Sequence, residues 1–500
     1  MELKNFTPRT YQEKILSTAV NANTLAVLPT GMGKTAIAIL LAIARLKDYP
    51  QGKILLCSPT KPLCNQHIQT FLDYTTLETH DIALLTGILQ PKIRVELWEK
   101  AKVIIATPQT IESDLRNNRI SLKDVIVLCI DEAHHSRMRY ANTGLALYYK
   151  EQAINPRILA LTASPGFTKE KINEICDNLF IERVEIRTEE DEDVKPYIQE
   201  KQTEWMYVEL PESMKQLKVF LDASYKEKLQ KLREIGLTKP LNIVNKRDLL
   251  QMQIHFQREI ANKNQTAFYG ISMVAQAIKV EHALTLLETQ GIRSLHEYLK
   301  KLQSEDTRAA KTLIKERNIA QTIAGTQKLL DDNVQHPKLM KLKEIIREEL
   351  QKNPLTKFII FANYRLTVNE VFHALQEEPL AKPTILVGQK EGLTQKQQAQ
   401  VIIEFTEGKY NIIVGTSITE EGLDIPGGAE LAIFFEPVPS EIRSIQRKGR
   451  VGRIKVGKVL FLITKGTKDE AFYWSSVRKE NKMKKILYGM QKSQKTLKGF

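Results

Sequence analysis

What this chain has little of narrows its class first. It has four cysteines, Cys57, Cys64, Cys129 and Cys176, with no C-x-x-C pair among them. Cys57 and Cys129 fall inside apolar runs, so these thiols read as buried and reduced rather than as a disulfide framework. No stretch reaches the roughly 18 consecutive apolar residues of a membrane span. The opening Met-Glu-Leu-Lys-Asn-Phe lacks the apolar core of a signal peptide. An intracellular protein with no membrane partner is therefore expected. Acidic residues are also in deficit. Against 73 Lys and Arg stand 59 Asp and Glu, a net charge of +14 that favours a polyanionic partner. Five hundred residues exceed one hydrophobic core, so two or three domains are expected.

A second scarcity divides the chain. Between about 212 and 335 prolines nearly vanish and strand-like runs are absent. Apolar residues recur there at helical spacing, as in Leu217, Phe220 and Leu221, or Leu284, Leu287 and Leu295. Lys246, Arg247, Arg258 and Lys263 lie among them and read as the solvated face of helices, with a grip on nucleic acid as the competing reading. On either side the texture is α/β. Residues 1–185 alternate helical patterns with apolar runs at 24–28, 53–57, 81–85, 102–106, 125–130 and 157–161. Further runs stand at 357–361, 384–387, 411–415, 430–435 and 458–463, and 203–210 is a candidate strand. The expected fold is α/β, with two parallel-sheet domains and an all-helical insertion between them. The acidic stretch Glu189–Asp193 reads as a solvated loop. The end of the chain carries Arg478, Lys479, Lys482, Lys484, Lys485, Lys492, Lys495 and Lys498 against Glu480 alone. It reads as a fraying basic tail or linker over 481–500 that adds phosphate contacts.

Two motifs carry chemistry. Residues 28–35 read Leu-Pro-Thr-Gly-Met-Gly-Lys-Thr, between the apolar run Leu25–Leu28 and the apolar helical run Ala36–Leu46. Gly31 and Gly33 permit a tight turn and a close backbone approach to phosphate; Pro29, Thr30 and Met32 complete the loop. Lys34 can reach the β- and γ-phosphates and the Thr35 hydroxyl can ligate Mg²⁺. The following helix N-terminus favours an anion. One departure is Leu28, where the common pattern has glycine six residues before the lysine. Residues 131–134 read Asp-Glu-Ala-His, directly after the apolar run Val125–Ile130. A carboxylate at a strand tip can hold Mg²⁺ through water, which assigns Asp131; its neighbour Glu132 can orient or deprotonate the attacking water. His134 is assigned to coupling, and His135 to a polar loop.

Residues 446–453 read Gln-Arg-Lys-Gly-Arg-Val-Gly-Arg. Arg450 and Arg453 can present two guanidinium groups to a transferring phosphoryl, an effect worth on the order of 10³–10⁵ in rate for arginine fingers. Gln446 can orient the water. After the run Ile412–Val414, residues 415–426 form a loop able to face both partners: Thr416 toward nucleic-acid phosphate, Gly422 and Asp424 toward the nucleotide.

These segments, in this order, resemble the motifs of superfamily 2 helicases. Pro8-Arg9-Thr10-Tyr11-Gln12 resembles the adenine-reading Q element, which implies nucleotide contacts for Arg9 and Gln12. Ser58–Leu63 resembles motif Ia and Ala106–Thr110 motif Ib, implying nucleic-acid contacts for Pro59, Thr60, Lys61, Thr107 and Pro108. Leu161–Gly166 resembles motif III, which makes Thr162 and Ser164 coupling residues beside His134. Phe361–Arg365 resembles motif IV, implying nucleic-acid contacts for Asn363 and Arg365. Within the superfamily the chain is similar to the archaeal Hef and FANCM family. The segments that carry this are Asp193–Tyr197, Glu288–Gly291, His336–Lys338, Val387–Gln389 and Glu436–Ser440.

The resemblance implies two RecA-like domains, at 1–200 and 338–480, with a thumb-like insertion at 201–337. It implies ATP and Mg²⁺ as cofactors and forked or branched DNA as the partner. A separate nuclease or a sliding clamp is the expected kind of protein partner, and a monomer the expected state. No Glu-Arg-Lys nuclease triplet occurs, so no nuclease activity is expected; the chain is either a helicase-only member or part of a longer protein. The competing readings are a RIG-I-like translocase on double-stranded RNA and an ATP-gated clamp without unwinding.

Overall fold

The computed structural model describes all residues except 138–139, 199–200, 263, 265–266, 389–391, 417–428, 438–456 and 497–500. Numbers and absences below refer to the described residues.

The first domain is built on seven parallel strands: β1 (Thr24–Val27), β2 (Lys53–Cys57), β3 (Ile82–Leu85), β4 (Val103–Ala106), β5 (Val125–Ile130), β6 (Ile158–Thr162) and β7 (Arg183–Ile186). Their order is β3-β4-β2-β5-β6-β1-β7. The central strands are apolar throughout because both faces are covered. Strand alternation divides them between two cores: Leu25 and Val27 point into one, Ala26 and Leu28 into the other.

The second sheet contains β8 (Lys201–Val208), β9 (Phe358–Phe361), β10 (Pro383–Leu386), β11 (Ile412–Gly415), β12 (Leu431–Phe434) and β13 (Gly457–Thr464). Its order is β10-β11-β9-β12-β13-β8, again parallel. The strand expected near 203–210 is β8. It does not join the helices that follow it; it pairs in register with the whole of β13, at the edge of the second sheet.

Between β8 and β9 lie the helices Glu212–Glu234, Lys246–Ala261, Ala267–Thr289, Ile292–Ser304, Arg308–Leu313 and Arg317–Asp331, followed by Pro337–Lys352. The long helix Ala267–Thr289 is the spine of this bundle, packing on Glu212–Glu234 and Lys246–Ala261. Its foot is tied to the second domain. The Glu288 carboxylate accepts from the Lys468 backbone N–H at 2.9 Å and pairs with Lys218 at 2.7 Å.

The last helix, Lys468–Thr496, corrects the reading of 481–500 as a fraying tail. It leaves the second sheet and buries Met483 and Leu487 in the core of the first domain, with Ile486 and Met490 packed beside them. Tyr488 donates to Asp191 at 2.6 Å, and the Gln491 amide donates to Glu185 at 2.7 Å. An apolar stripe at three- and four-residue spacing runs through the lysines, and it decides where the helix lies. The acidic stretch is likewise more than a solvated loop: Asp191 receives Tyr488, and Asp193 accepts from Lys14 at 2.9 Å. All four cysteines are free and buried. No helix is long and apolar enough to cross a membrane.

Candidate functional site

The chemistry-bearing segments of the first domain all leave the carboxyl ends of parallel strands, where open α/β sheets bind their ligands. The glycine loop follows β1, Ser58–Thr60 follows β2, Thr107 and Pro108 follow β4, Asp131 follows β5 and Ala163–Ser164 follows β6. Because β6 lies between β5 and β1, the loop and the acidic pair stand two strands apart across one crevice.

Gly31 and Gly33 have φ of +82° and +65°, the left-handed region that a side chain resists. Gly33 caps the helix Lys34–Asp48 with no side-chain cap, so the first N–H groups of that helix point at the loop. The Q-like segment braces this loop from behind. Tyr11 donates to the Met32 carbonyl at 2.7 Å and the Gln12 amide to the Gly33 carbonyl at 3.4 Å. A β-carbon on Gly33 would lie 2.7 Å from Gln12 Nε2, a second reason for glycine there. Gln12 accepts from the Arg9 backbone N–H at 2.9 Å, and the Arg9 guanidinium lies over the Tyr197 ring at 4.8 Å.

Asp131 is almost fully buried. Burial pushes its carboxyl pKa up, but the His67 hydrogen bond and the nearby positive Lys34 outweigh it and hold the group below its usual range. The Asp131 Oδ2 lies 2.9 Å from His67 Nε2, and His67 Nδ1 lies 3.1 Å from the Thr35 hydroxyl. Glu132 takes φ +48°, uncommon for a residue with a side chain and frequent at functional turns. Its Oε2 is buried without a hydrogen bond, 3.3 Å from His134 Nδ1 but out of bonding geometry. His134 Nδ1 reaches the Thr162 hydroxyl at 3.2 Å, and Thr162 Oγ1 accepts from the Ser164 N–H at 3.1 Å. Ser164 in turn donates to the Met483 sulfur at 3.0 Å. A line of hydrogen bonds thus runs from His134, next to the acidic pair, to the helix that comes from the other domain.

The segments expected at nucleic acid form a second row on the same edge. Thr60 caps the helix Lys61–Tyr74 and its hydroxyl is buried without a hydrogen-bond partner. Thr107 shares a hydroxyl hydrogen bond with Thr110 at 2.8 Å. In the second domain Asn363 follows β9, Thr416 follows β11, and exposed Arg365 opens the helix Arg365–Gln376. The Asn363 N–H and the Thr367 hydroxyl both donate to Glu436. Gly422, Asp424, Gln446, Arg450 and Arg453 lie outside the described residues.

Sequence reading passed over His67. Its signal was present: a histidine on the buried Cys64–Phe71 face of the helix after the Ia-like loop, where an apolar residue belongs.

Paired parallel-sheet domains with these motifs at their strand ends define a superfamily 2 helicase. Residues 9–172 match the DEAD/DEAH box helicase family and 338–455 the helicase conserved C-terminal domain. Residues 213–336 match the helical bundle of a putative ATP-dependent RNA helicase family. The crystal structure of the Pyrococcus furiosus Hef helicase domain is 43% identical, with a TM-score of 0.74 over 94% of this chain and 98% of that one. A putative ATP-dependent RNA helicase of Methanocaldococcus jannaschii is 39% identical over 97% of this chain and 61% of its own length. The DEAD-box ATP-dependent DNA helicase Fancm of Drosophila melanogaster is 32% identical over 97% of this chain and 35% of its own. The chain belongs to the Hef and FANCM family of superfamily 2 helicases.

Proposed function

We propose that this chain is an ATP-driven DNA motor that translocates on or unwinds forked and branched DNA. The observation that carries the reading is the single strand-end edge on which the phosphate loop, the acidic pair and the Ia- and Ib-like loops meet. The relatives named DNA helicases support the substrate class.

The residues fit a magnesium nucleotide. Left-handed glycines open the loop to phosphate, the Thr35 hydroxyl and the Asp131 carboxylate face a common region, and Glu132 keeps a buried oxygen unbonded. In this reading Pro29–Gly33 and Lys34 cradle the phosphates, Arg9 and Gln12 read the base, and Thr35 and Asp131 hold the metal. The metal supplies charge neutralisation at the phosphates. Glu132 receives the proton of the attacking water, oriented by Gln446. Arg450 and Arg453 come from the second domain when the two close, with Gly422 and Asp424 at the nucleotide. His134, Thr162 and Ser164 pass the change toward the last helix. Pro59, Thr60, Lys61, Thr107, Pro108, Asn363, Arg365 and Thr416 grip the phosphates of the strand, so binding weakens steeply with salt.

The test is steady-state ATP hydrolysis with single-stranded DNA, duplex DNA, a fork, a four-way junction and double-stranded RNA, with Lys34→Ala as the inactive control. Strongest stimulation by forks or junctions supports the reading. Strongest stimulation by RNA duplex replaces it with the RNA reading, which the name of the Methanocaldococcus relative favours. Arg453→Ala is expected to lower turnover by at least 10³-fold while changing ATP affinity little; equal losses of both overturn the finger assignment.

A further inference from the structure

The residues read as metal ligands do not face each other directly. One imidazole ring stands between them. His67 Nδ1 is 3.1 Å from Thr35 Oγ1 and His67 Nε2 is 2.9 Å from Asp131 Oδ2. A single neutral tautomer satisfies both contacts: Nε2–H donates to the carboxylate, and the threonine hydroxyl donates to Nδ1. The ring is 5% exposed, and Ser58 Oγ contacts the same carboxylate oxygen at 3.4 Å. His67 is held in place from below by its helix, where Cys64 and Phe71 are fully buried on the same face.

Magnesium takes oxygen ligands at about 2.0–2.1 Å in near-octahedral array and keeps several of its waters. An ion ligated by Thr35 and approached through water by Asp131 must lie between those two side chains. That region is where the His67 ring makes both of its hydrogen bonds, so ring and hydrated cation claim one place.

We propose that His67 is a positioning residue that pairs Thr35 with Asp131 when no cation is bound and is displaced when the divalent cation of the nucleotide enters. The inference rests on Thr35 and Asp131 being the cation's ligands. It adds a competitor within the chain. The imidazole adds a hydrogen bond to the buried Asp131 carboxylate and to the half-buried Thr35 hydroxyl, and it sets the cation concentration needed to replace it. The helix carrying His67, Lys61–Tyr74, begins at the loop assigned to nucleic acid, so the ring that must yield is attached to the element that grips the strand.

The test is a Mg²⁺ titration of fluorescent ADP binding to the wild-type chain, His67→Ala and His67→Asn. The readout is the Mg²⁺ concentration at which ADP affinity is half-way to its magnesium-saturated value. His67→Ala is expected to lower that midpoint by about tenfold, His67→Asn by less, and neither to change ADP affinity in EDTA. An unchanged or raised midpoint overturns the proposal, because a ring that merely orients Asp131 helps the cation. If Mg²⁺ has no effect on ADP affinity in the wild type, the metal assignment itself fails, which separates the two. The wild type supplies a measurement free of any folding defect: hydrogen–deuterium exchange at the His67 ring C2 position, read by mass spectrometry. Faster exchange with Mg²⁺–ADP than with ADP alone is expected, and an unchanged rate overturns displacement.

Discussion

The second domain is joined to its two neighbours by contacts of opposite character. Toward the helical bundle the joint is ionic and buried. Where the chain passes from the bundle into the second domain, Lys338 pairs with Asp469 at 2.5 Å, both side chains fully buried, and donates to the Phe435 carbonyl at 2.9 Å. This pair lies inside the second domain and anchors the joint, while Lys218 of the bundle crosses it to the Gly466 carbonyl at 2.7 Å. Glu288 binds Lys468 and Lys218, and Lys468 reaches Glu281 at 2.7 Å. Fully buried His336 has its pKa pushed down to about 3 by that burial. Toward the first domain the joint is an apolar stripe, Met483 and Leu487, with polar contacts at its edge. Buried ion pairs hold one geometry and lose heavily when it is disturbed. Apolar contact has no direction and tolerates small sliding. The bundle is therefore expected to move with the second domain, and the first place to give to be where the last helix rests on the first domain.

The contrast can be broken at its strongest point by Lys338→Met. Asp469 is then left charged and unpaired in a dry site, and about 3–5 kcal/mol of stability should disappear. Chemical denaturation measures it, and a loss under 1 kcal/mol would mean the joint is wetter than it looks. On the apolar side, Leu487→Ala should cost about 2–3 kcal/mol by cavity formation and expose 468–496 to limited proteolysis while the bundle stays protected. Simultaneous exposure of both would mean that the two joints yield together.

A pH scan sharpens the ionic side. Burial raises Glu436, beside Lys338, from 4.5 to about 7. The folded protein then holds this proton more tightly than the unfolded chain. Its contribution is full below pH 4.5 and is lost as pH rises to about 7. Glu436→Gln should flatten that part of the stability profile, a change on the order of 3 kcal/mol across the window. An identical slope in the variant would reassign the dependence. The smallest effect belongs to Tyr488→Phe, which removes the donor to Asp191 at the rim of the apolar joint; about 1 kcal/mol is expected from a shift in denaturation midpoint.

Much of this architecture was legible because the central strands announce themselves. Val125–Ile130 is apolar at every position, as a strand covered on both faces must be, and Asp131 follows it at the edge where ligands bind. β7 was hidden because Arg183 and Glu185 alternate with Val184 and Ile186 at the sheet's rim, which leaves no continuous apolar run. The partnership of β8 was hidden for another reason: β13 lies some 250 residues further on, and no local pattern points that far. In the last helix the charge hides the stripe, since eight basic residues outweigh Met483 and Leu487 in composition but not in contact. The acidic pair and phosphate loop could be placed from sequence; the ring between Thr35 and Asp131 could not, because it enters from a separate helix, 32 residues beyond the one and 64 before the other.

The route of the chain through β8 carries one more consequence. The polypeptide enters the second sheet at Lys201, leaves it after Val208 for the helices, and returns at Phe358. Both ends of the bundle are thus rooted in the same sheet. In terms of wiring, the bundle is no coupling rod between the two engines but an oversized crossover loop of one of them. Splicing it out would shorten a connection within the second domain and leave the covalent bridge between the motors, the short run from β7 to β8, untouched.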